Sequence, residues 1–192
     1  MSLLFRIMYR LHFTPWEHEE PPPALVDLVA GPQALPAGRL LDIGCGTGGD
    51  AAYCARHGWD VTGVDASPVA LKAARRRAGP DVRLLQADIT TADLGSGYTL
   101  ILDGGCLHSL APEQLRAAAD RVTTAAEPGA VLLMLAFSPG RRGPLLPRGI
   151  GADDLPGVFP AWDLTSARAS TDVQLSGPAR NADPHWYQLV RR

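Results

Sequence analysis

The sequence predicts an α/β fold, a doubly wound sheet of seven strands that is mostly parallel and ends in a C-terminal antiparallel hairpin. Three observations predict it. Short apolar runs that end in Gly or Asp alternate with Ala/Leu/Arg-rich helical stretches. One of those runs opens directly into alternating glycines, Gly44-Cys45-Gly46-Thr47-Gly48. The last two strand-like runs have only a loop between them, which suits an antiparallel pair better than a right-handed βαβ crossover.

The elements follow in order. Arg39–Ile43 reads as a strand, followed by the glycine-rich turn and a helix over 49–57. Residues 60–64 form the next strand and 67–78 the next helix, with Ser67 as N-cap and Pro68 at the first helical position. Val82–Gln86 is the third strand, 98–102 the fourth, and 112–126 the helix after it. Pro128-Gly129 breaks the chain before a fifth strand, 130–137. Residues 138–151 read as a Pro/Gly/Arg loop and 153–159 as a short helix. Residues 161–168 and Pro184–Arg191 are the closing strands. In the last of them His185, Tyr187 and Leu189 should point outward, away from the face of Trp186, Gln188 and Val190. At the front, a helix-like stretch 2–12 leads through FTPWEHEEPPP to another helix over 22–30.

Length and composition bound the function. At 192 residues and 20.4 kDa the chain has the size of one domain. Forty-six per cent apolar residues against 20% charged excludes a wholly disordered chain. No apolar run reaches the roughly 18 residues of a membrane span. Eighteen basic against 20 acidic residues give a net charge of −2, which argues against a protein built to grip nucleic-acid phosphates. Lys72 is the only lysine, which limits any chemistry that needs one. Cys45, Cys54 and Cys106 are odd in number, far apart and without a CxxC pair, so neither a disulfide framework nor a zinc knuckle is suggested. The N-terminal MSLLFRIMYRLHF carries Arg6 and Arg10 and lacks a small-residue cleavage site. It reads as an amphipathic helix and not a signal peptide, and the expected location is the cytoplasm.

The chemistry centres on Leu40-Leu41-Asp42-Ile43-Gly44-Cys45-Gly46-Thr47-Gly48. Glycine allows a sharp turn and lets a ligand meet the main chain without a Cβ in the way. Gly44, Gly46 and Gly49 also satisfy GxGxxG, a weak sign of dinucleotide binding on its own. A Walker A loop is excluded, because the turn has no GK[ST]. Asp42, Asp65, Asp88 and Asp103 each fall at or just after the carboxyl end of a successive strand. In an open parallel sheet that edge is where ligands bind. A carboxylate there suits a ribose diol at Asp65 and an exocyclic amine at Asp88. Each Asp also has a plain structural reading as a helix N-cap or turn former.

Together these stretches resemble the class I S-adenosylmethionine-dependent methyltransferases, whose fold is a Rossmann-like α/β sheet. LLDIGCGTG is similar to their first motif, VTGVDAS to the ribose-binding strand end, QADI to the adenine-contacting one, LILDGGCLHSL to the fourth motif and PGAVLLMLAF to the fifth strand. The resemblance covers roughly residues 38–137. It implies S-adenosylmethionine (SAM) as cofactor, with S-adenosylhomocysteine (SAH) as product. It implies that Asp42, Gly44, Cys45 and Gly46 hold the methionine end. Asp65 and Ala66 would bind the ribose, Asp88 and Ile89 would frame the adenine, and Asp103 and Gly104 would complete the cofactor site. FTPWEHEEPPPAL further resembles the segment before the core in small bacterial methyltransferases of the tellurite-resistance, thiopurine and quinone-methylating type. That implies Trp16 closing over cofactor and acceptor, with Glu17 as the acid beside it. A core tryptophan pinning the N-terminal helix is the alternative. The implied organisation is an N-terminal helical cap segment, 1–34, and a SAM-binding domain, 35–192, within one structural domain.

Methyl transfer is an in-line displacement that rewards alignment, by about 7–11 kcal/mol in ideal cases. A base is needed only when the acceptor has a proton to lose. His108, after the fourth strand, is the candidate by position and by its ordinary pKa near 6.5; it alternatively packs against the following helix. Asp103 is the second catalytic candidate, orienting cofactor or acceptor. His18 neighbours Trp16, whereas His12, His57 and His185 read as structural or exposed. Cys106 lacks a Cys/His/Asn setting and reads as packing. Arg141, Arg142 and Arg148 either greet an anionic acceptor or line a solvated loop. No NPPY-like tetrapeptide occurs at 103–106, so methylation of nucleic-acid bases is not supported. The expected acceptor is a small molecule methylated on oxygen or sulfur, with no metal, nucleic acid or membrane partner, by a monomer or homodimer. The competing expectations are a non-catalytic SAM-binding sensor and an NAD-dependent oxidoreductase.

Overall fold

A computed structural model describes residues 20–32, 34–140, 146–171, 173 and 180–192. Helix α1 (Pro23–Ala30) buries Leu25 and Val29. The alternating core follows as β1 (Arg39–Ile43), α2 (Gly49–Arg56), β2 (Asp60–Asp65), α3 (Pro68–Ala78), β3 (Val82–Gln86), β4 (Tyr98–Asp103), α4 (Pro112–Ala125) and β5 (Ala126–Phe137). A one-turn α5 (Leu155–Val158), β6 (Trp162–Ala169) and β7 (Pro184–Arg191) complete it. The seven strands belong to one mixed sheet of order β3-β2-β1-β4-β5-β7-β6. The chain divides into two compact units, Met1–Ala92 and Asp93–Arg192. The helix expected over 2–12 lies outside the described residues, as does most of the expected 1–34 segment.

In the first unit β1 and β3 flank β2, all parallel, with Leu41 level with Thr62 and Gly63 level with Leu84. Leu40, Leu41 and Ile43 are fully buried although neighbours point to opposite faces, as expected of a parallel sheet covered on both sides. Helix α3 starts as its sequence dictates. The Ser67 hydroxyl accepts the Ala70 N–H at 3.3 Å, Pro68 occupies the first turn, and Arg75, Arg76 and Arg77 complement the dipole at the other end.

In the second unit β4 and β5 are parallel, and β5–β7 and β6–β7 are antiparallel. Strand β5 starts earlier than its sequence suggests. Ala126 pairs with Tyr98, and the pairing shifts before Val131 joins Leu100. Glu127-Pro128-Gly129 therefore forms an exposed bulge within the strand and not a break before it. The outward face expected for β7 is also not found: Tyr187 and Leu189 are buried, as is Trp186. Flanked by β5 and β6, the strand is interior to the sheet and covered on both faces. Trp162 anchors the closing strands by donating its indole N–H to the Thr123 hydroxyl at 2.9 Å. Among the described residues no helix is long and apolar enough to cross a membrane, and none of the three cysteines forms a disulfide.

Candidate functional site

In the first unit the glycine turn hangs on the end of β2. Gly44 and Gly46 adopt φ of 66° and 52°, conformations that L side chains avoid. The Gly44 and Cys45 N–H groups both donate to the Val64 carbonyl, at 2.8 and 3.1 Å. The Gly46 N–H donates to Asp65 Oδ2 at 3.1 Å, while Ser67 donates its N–H to Oδ1 at 2.7 Å. Asp65 thus has both oxygens engaged by backbone and is 7% exposed. Burial pushes its carboxyl above the usual range, opposed by the Ser67 and Gly46 N–H groups.

The Cys45 side chain packs over β2. A Cβ at Gly63 would lie 2.9 Å from Cys45 Sγ and 3.0 Å from Leu84 Cδ2, so this glycine is needed for close approach and not for its dihedral angles. Asp42 is buried, and its charge adds to the burial that drives the Cys54 thiol upward. Ala66 is half-buried. Asp88 is exposed and turns the chain: its Oδ1 accepts the Thr90 hydroxyl at 2.7 Å and the Thr90 N–H at 3.0 Å, bonds that hold its pKa below the usual value. The next residue, Ile89, is buried.

In the second unit Asp103 is fully buried and faces its own loop. Its Oδ1 accepts N–H groups from Gly105, Cys106 and Leu107 at 3.2, 2.7 and 3.2 Å, and Oδ2 accepts Leu107 again at 3.3 Å. Burial pushes its pKa up to about 7, against the pull of those amides. The carboxylate therefore shapes the turn that carries Cys106, Leu107 and His108. Gly104 is exposed, with nothing within 4 Å of a Cβ built there.

His108 is buried, its ring 4.6 Å from that of Phe137. Its Nδ1 accepts the Phe137 N–H at 2.8 Å, joining the β4 loop to the end of β5. The loop after β5 closes at its base: Ile150 donates to the Phe137 carbonyl at 2.9 Å and Gly140 to that of Arg148 at 3.1 Å. Beside it, Ser138 Oγ lies 2.9 Å from Asp183 Oδ2 and 3.5 Å from His185 Nδ1. Asp183, at φ 47°, is the one non-glycine residue of positive φ among those described.

Neither Ser138 nor Asp183 stands out in the sequence, and nothing there gives His185 a partner. Trp16, Glu17, His12 and His18 lie outside the described residues, as do Arg141 and Arg142. His57 closes α2 on the Tyr53 carbonyl, 2.9 Å from its Nδ1. Among the described residues no group of three His, Cys, Asp or Glu is placed to hold a metal ion.

Comparison with known proteins bears on the fold. Residues 40–129 match the family model of a methyltransferase domain. Among curated proteins, the 2-heptyl-1-hydroxyquinolin-4(1H)-one methyltransferase of Mycobacteroides abscessus is 31% identical over 129 residues, 64% of this chain and 56% of that protein. The chain spans about half the length of the curated relatives it matches. A structure solved for the conversion of a disulfide bond into a thioacetal group during echinomycin biosynthesis superposes with TM-score 0.74 and 28% identity, covering 100% of this chain and 93% of that one. The Burkholderia thailandensis 1,6-didemethyltoxoflavin-N1-methyltransferase, solved with S-adenosylhomocysteine, gives TM-score 0.75 at 22% identity, covering 98% and 85%. The α/β fold is thus the Rossmann-like methyltransferase fold.

Proposed function

We propose that this chain, which carries a methyltransferase domain over residues 40–129, is a SAM-dependent enzyme that transfers a methyl group to an oxygen or sulfur of a small-molecule acceptor. The observation that carries the proposal is the bond from the Gly46 N–H to the Asp65 carboxylate. A dinucleotide pyrophosphate needs the amides of a glycine turn for itself. Here the Gly44, Cys45 and Gly46 amides are already held by Val64 and Asp65. A turn with its amides so engaged leaves them no free donor for a pyrophosphate, which disfavours NAD, while the acid beneath it suits the ribose of a nucleoside that carries positive charge.

The residues present fit SAM. Asp42 and the Gly44–Gly46 turn would hold its amino-acid end. Both Asp65 oxygens accept backbone N–H groups, and a carboxylate has acceptor capacity beyond these for ribose hydroxyls, with Ala66 alongside. Asp88, kept ionised by Thr90, would accept the adenine amine while Ile89 packs on the ring. The bound cofactor supplies an electrophilic methyl group on a sulfonium. Asp103 would order the β4 loop, Gly104 would leave room beside it, and His108 would serve the acceptor. Trp16, from the N-terminal segment, belongs to the proposal as a closing side chain.

Oxygen and sulfur acceptors are favoured by the hydroxyquinolinone after which one relative is named and by the disulfide-to-thioacetal conversion for which one structural neighbour was solved. Three cysteines without a disulfide suit a reducing compartment such as the cytoplasm. A small molecule is the only partner required, whether the enzyme works as monomer or homodimer.

Calorimetric titration with SAH and with NAD, then mass spectrometry of phenol, hydroxyquinolone and thiol panels incubated with SAM, tests the proposal. SAH binding and a product heavier by one methyl group are expected. NAD binding without SAH binding would return the chain to the oxidoreductases. SAH binding with no product from any panel would favour a sensor.

A further inference from the structure

We propose that His185 is the general base of the methyl transfer, acting through Nε2, and that the acceptor group is a hydroxyl of phenol-like acidity that binds with its proton in place. This role rests on the proposed methyl transfer and names its acceptor class. Among the described residues, each polar atom that meets His185 Nδ1 is an oxygen. The Asp183 carbonyl lies 3.1 Å away, Ser138 Oγ 3.5 Å and Asp183 Oδ2 3.8 Å. A carbonyl and a carboxylate only accept hydrogen bonds. The Ser138 hydroxyl has a single hydrogen, and the Asp183 carboxylate takes it at 2.9 Å. Nδ1 therefore carries the proton of the neutral ring, and the basic lone pair is on Nε2.

The surroundings fix this arrangement. Asp183 stands in the left-handed region, at φ 47°, which a non-glycine residue holds only where its neighbours enforce it. Ser138 enforces it here. Its N–H donates to the Ala182 and Asp183 carbonyls at 3.0 and 3.1 Å, while its hydroxyl engages the carboxylate. The His185 ring lies against that of Tyr187, with centroids 6.0 Å apart and planes 18° from parallel. The side chain keeps 26% of its surface exposed, and among the described residues Nε2 has no hydrogen-bond partner.

The position in the sheet is one where ligands bind. Strands β4 and β5 run parallel, with Asp103 level with Met134, so their carboxyl ends share the edge at which an α/β sheet holds its ligands. Strand β7 runs the other way and starts at that edge, with Pro184 level with Phe137 and His185 with Ala136. Two strands separate His185 from the loop after β4, roughly 10 Å across the sheet. A small acceptor bounded by that loop is within reach of the ring. The other histidine of this edge, His108, is buried, and its Nδ1 lone pair already accepts the Phe137 N–H at 2.8 Å.

In the step so served, the acceptor's O–H proton passes to Nε2 while an electron pair of the oxygen forms a bond to the methyl carbon. The bond from that carbon to the sulfonium sulfur breaks and its electron pair stays on sulfur. The ring becomes an imidazolium whose Nδ1–H donates to the Asp183 carbonyl, with the Asp183 carboxylate 3.8 Å away. It then releases the proton to solvent. Phenols and hydroxylated heteroaromatics of similar acidity, with a pKa of about 10, keep their proton at neutral pH and need such a base. An acceptor already ionised does not. Ser138 and Asp183 are positioning residues in this scheme.

Two measurements test the proposal. Long-range nitrogen-15 NMR of the histidine rings in the native protein at pH 9, without acceptor, reads the tautomer directly. The His185 signals should show Nδ1 protonated and Nε2 unprotonated; the reverse tautomer would overturn the assignment whatever the activity. The second measurement compares native protein with His185→Gln on two acceptors, an unsubstituted phenol and a nitrophenol already ionised at the assay pH. Turnover of the phenol should fall on the order of a hundredfold, and that loss should exceed the loss on the nitrophenol by at least about tenfold. Losses of equal size on the two acceptors, or native turnover of the phenol, would sink the base. SAH affinity of the variant, measured alongside, shows that the fold survives. Asn tolerates positive φ as Asp does, so Asp183→Asn keeps the corner and removes its charge. It should show the same preference at a smaller size, and an unselective loss would strike Asp183 from the scheme. Absence of any methylated product from the native protein would overturn the proposed function, and the role with it. Product formation by a protein whose His185 carries its proton on Nε2 overturns the role alone.

Discussion

The Gly46 amide points at Asp65 Oδ2 across 3.1 Å, so the turn after β1 is shaped by an acid at the end of β2. The sequence separates the two by 19 positions, but the parallel register sets Ile43 level with Val64 and brings turn and carboxylate together. The same carboxylate caps the start of α3 through the Ser67 N–H at 2.7 Å. One side chain therefore holds the glycine turn, the helix start and, on the function proposed, the ribose.

Replacing Asp65 with Asn keeps the shape and an acceptor for one amide but removes the charge. The cofactor would lose charge-assisted hydrogen bonds, and SAH affinity should fall by about 1–3 kcal/mol in calorimetry. Native affinity in Asp65→Asn would remove this residue from the ribose site.

A second prediction concerns packing under the turn. A methyl group at Gly63 has to enter space held by Cys45 Sγ at 2.9 Å and Leu84 Cδ2 at 3.0 Å. Gly63→Ala should cost about 1–3 kcal/mol of stability through overpacking. Cys45→Ala vacates part of that space, so the double variant should recover some of the loss. Coupling of at least about 0.5 kcal/mol in chemical denaturation is expected for residues in contact; strictly additive losses would mean that Leu84, and not Cys45, sets the limit.

Most of the alternating core is legible in the sequence because its signals are local. Ser67-Pro68 announces α3, and the apolar runs of β1, β4 and β5 are the side chains a doubly covered sheet requires. What is not legible depends on partners distant in sequence. The start of β5 at Ala126 is hidden by Pro128-Gly129, which reads as a break until Tyr98 is seen pairing across the bulge. The buried Tyr187 and Leu189 read as an outward face because the alternation in β7 carries no record of β5 and β6 on its two sides. His108 is visible as a candidate, but its partner is a main-chain amide 29 residues away. An amide leaves no mark in the amino-acid order. The aspartates stand out by position, yet only the hydrogen bonds distinguish Asp103, folded onto its own loop, from Asp65, which ties two strand ends.

Asp103 makes stability depend on pH. Its carboxyl is raised from 3.8 to about 7 by burial, so the folded protein holds this proton more tightly than the unfolded chain. The contribution is complete below pH 4 and is lost as pH climbs toward 7. At about 1.4 kcal/mol per pH unit the loss is on the order of 4 kcal/mol. Asp103→Asn keeps a carbonyl oxygen for the loop amides and has no proton to lose. Its stability relative to native should therefore rise between pH 4.5 and pH 7.5 in urea denaturation. A difference that stays constant over that window would show that the amides of Gly105, Cys106 and Leu107 keep the acid ionised throughout.

The base of the β5 loop gives the last prediction. Gly149 sits at φ 82°, and a Cβ there would overlap the carbonyl oxygens of Phe137 and Ser138. Gly95 has a similar φ of 74° but nothing within 4 Å of a Cβ. Alanine at Gly95 should cost only the left-handed strain of an L residue, about 1–2 kcal/mol. Alanine at Gly149 incurs that strain and must also displace the end of β5, where the Phe137 carbonyl accepts Ile150 and the Phe137 amide holds His108. Gly149→Ala should therefore be the more destabilising of the two in thermal denaturation, and it alone should shift the His108 ring resonances. Equal losses, with the ring signals unmoved, would mean that the loop base yields without disturbing β5 and that His108 does not depend on this closure.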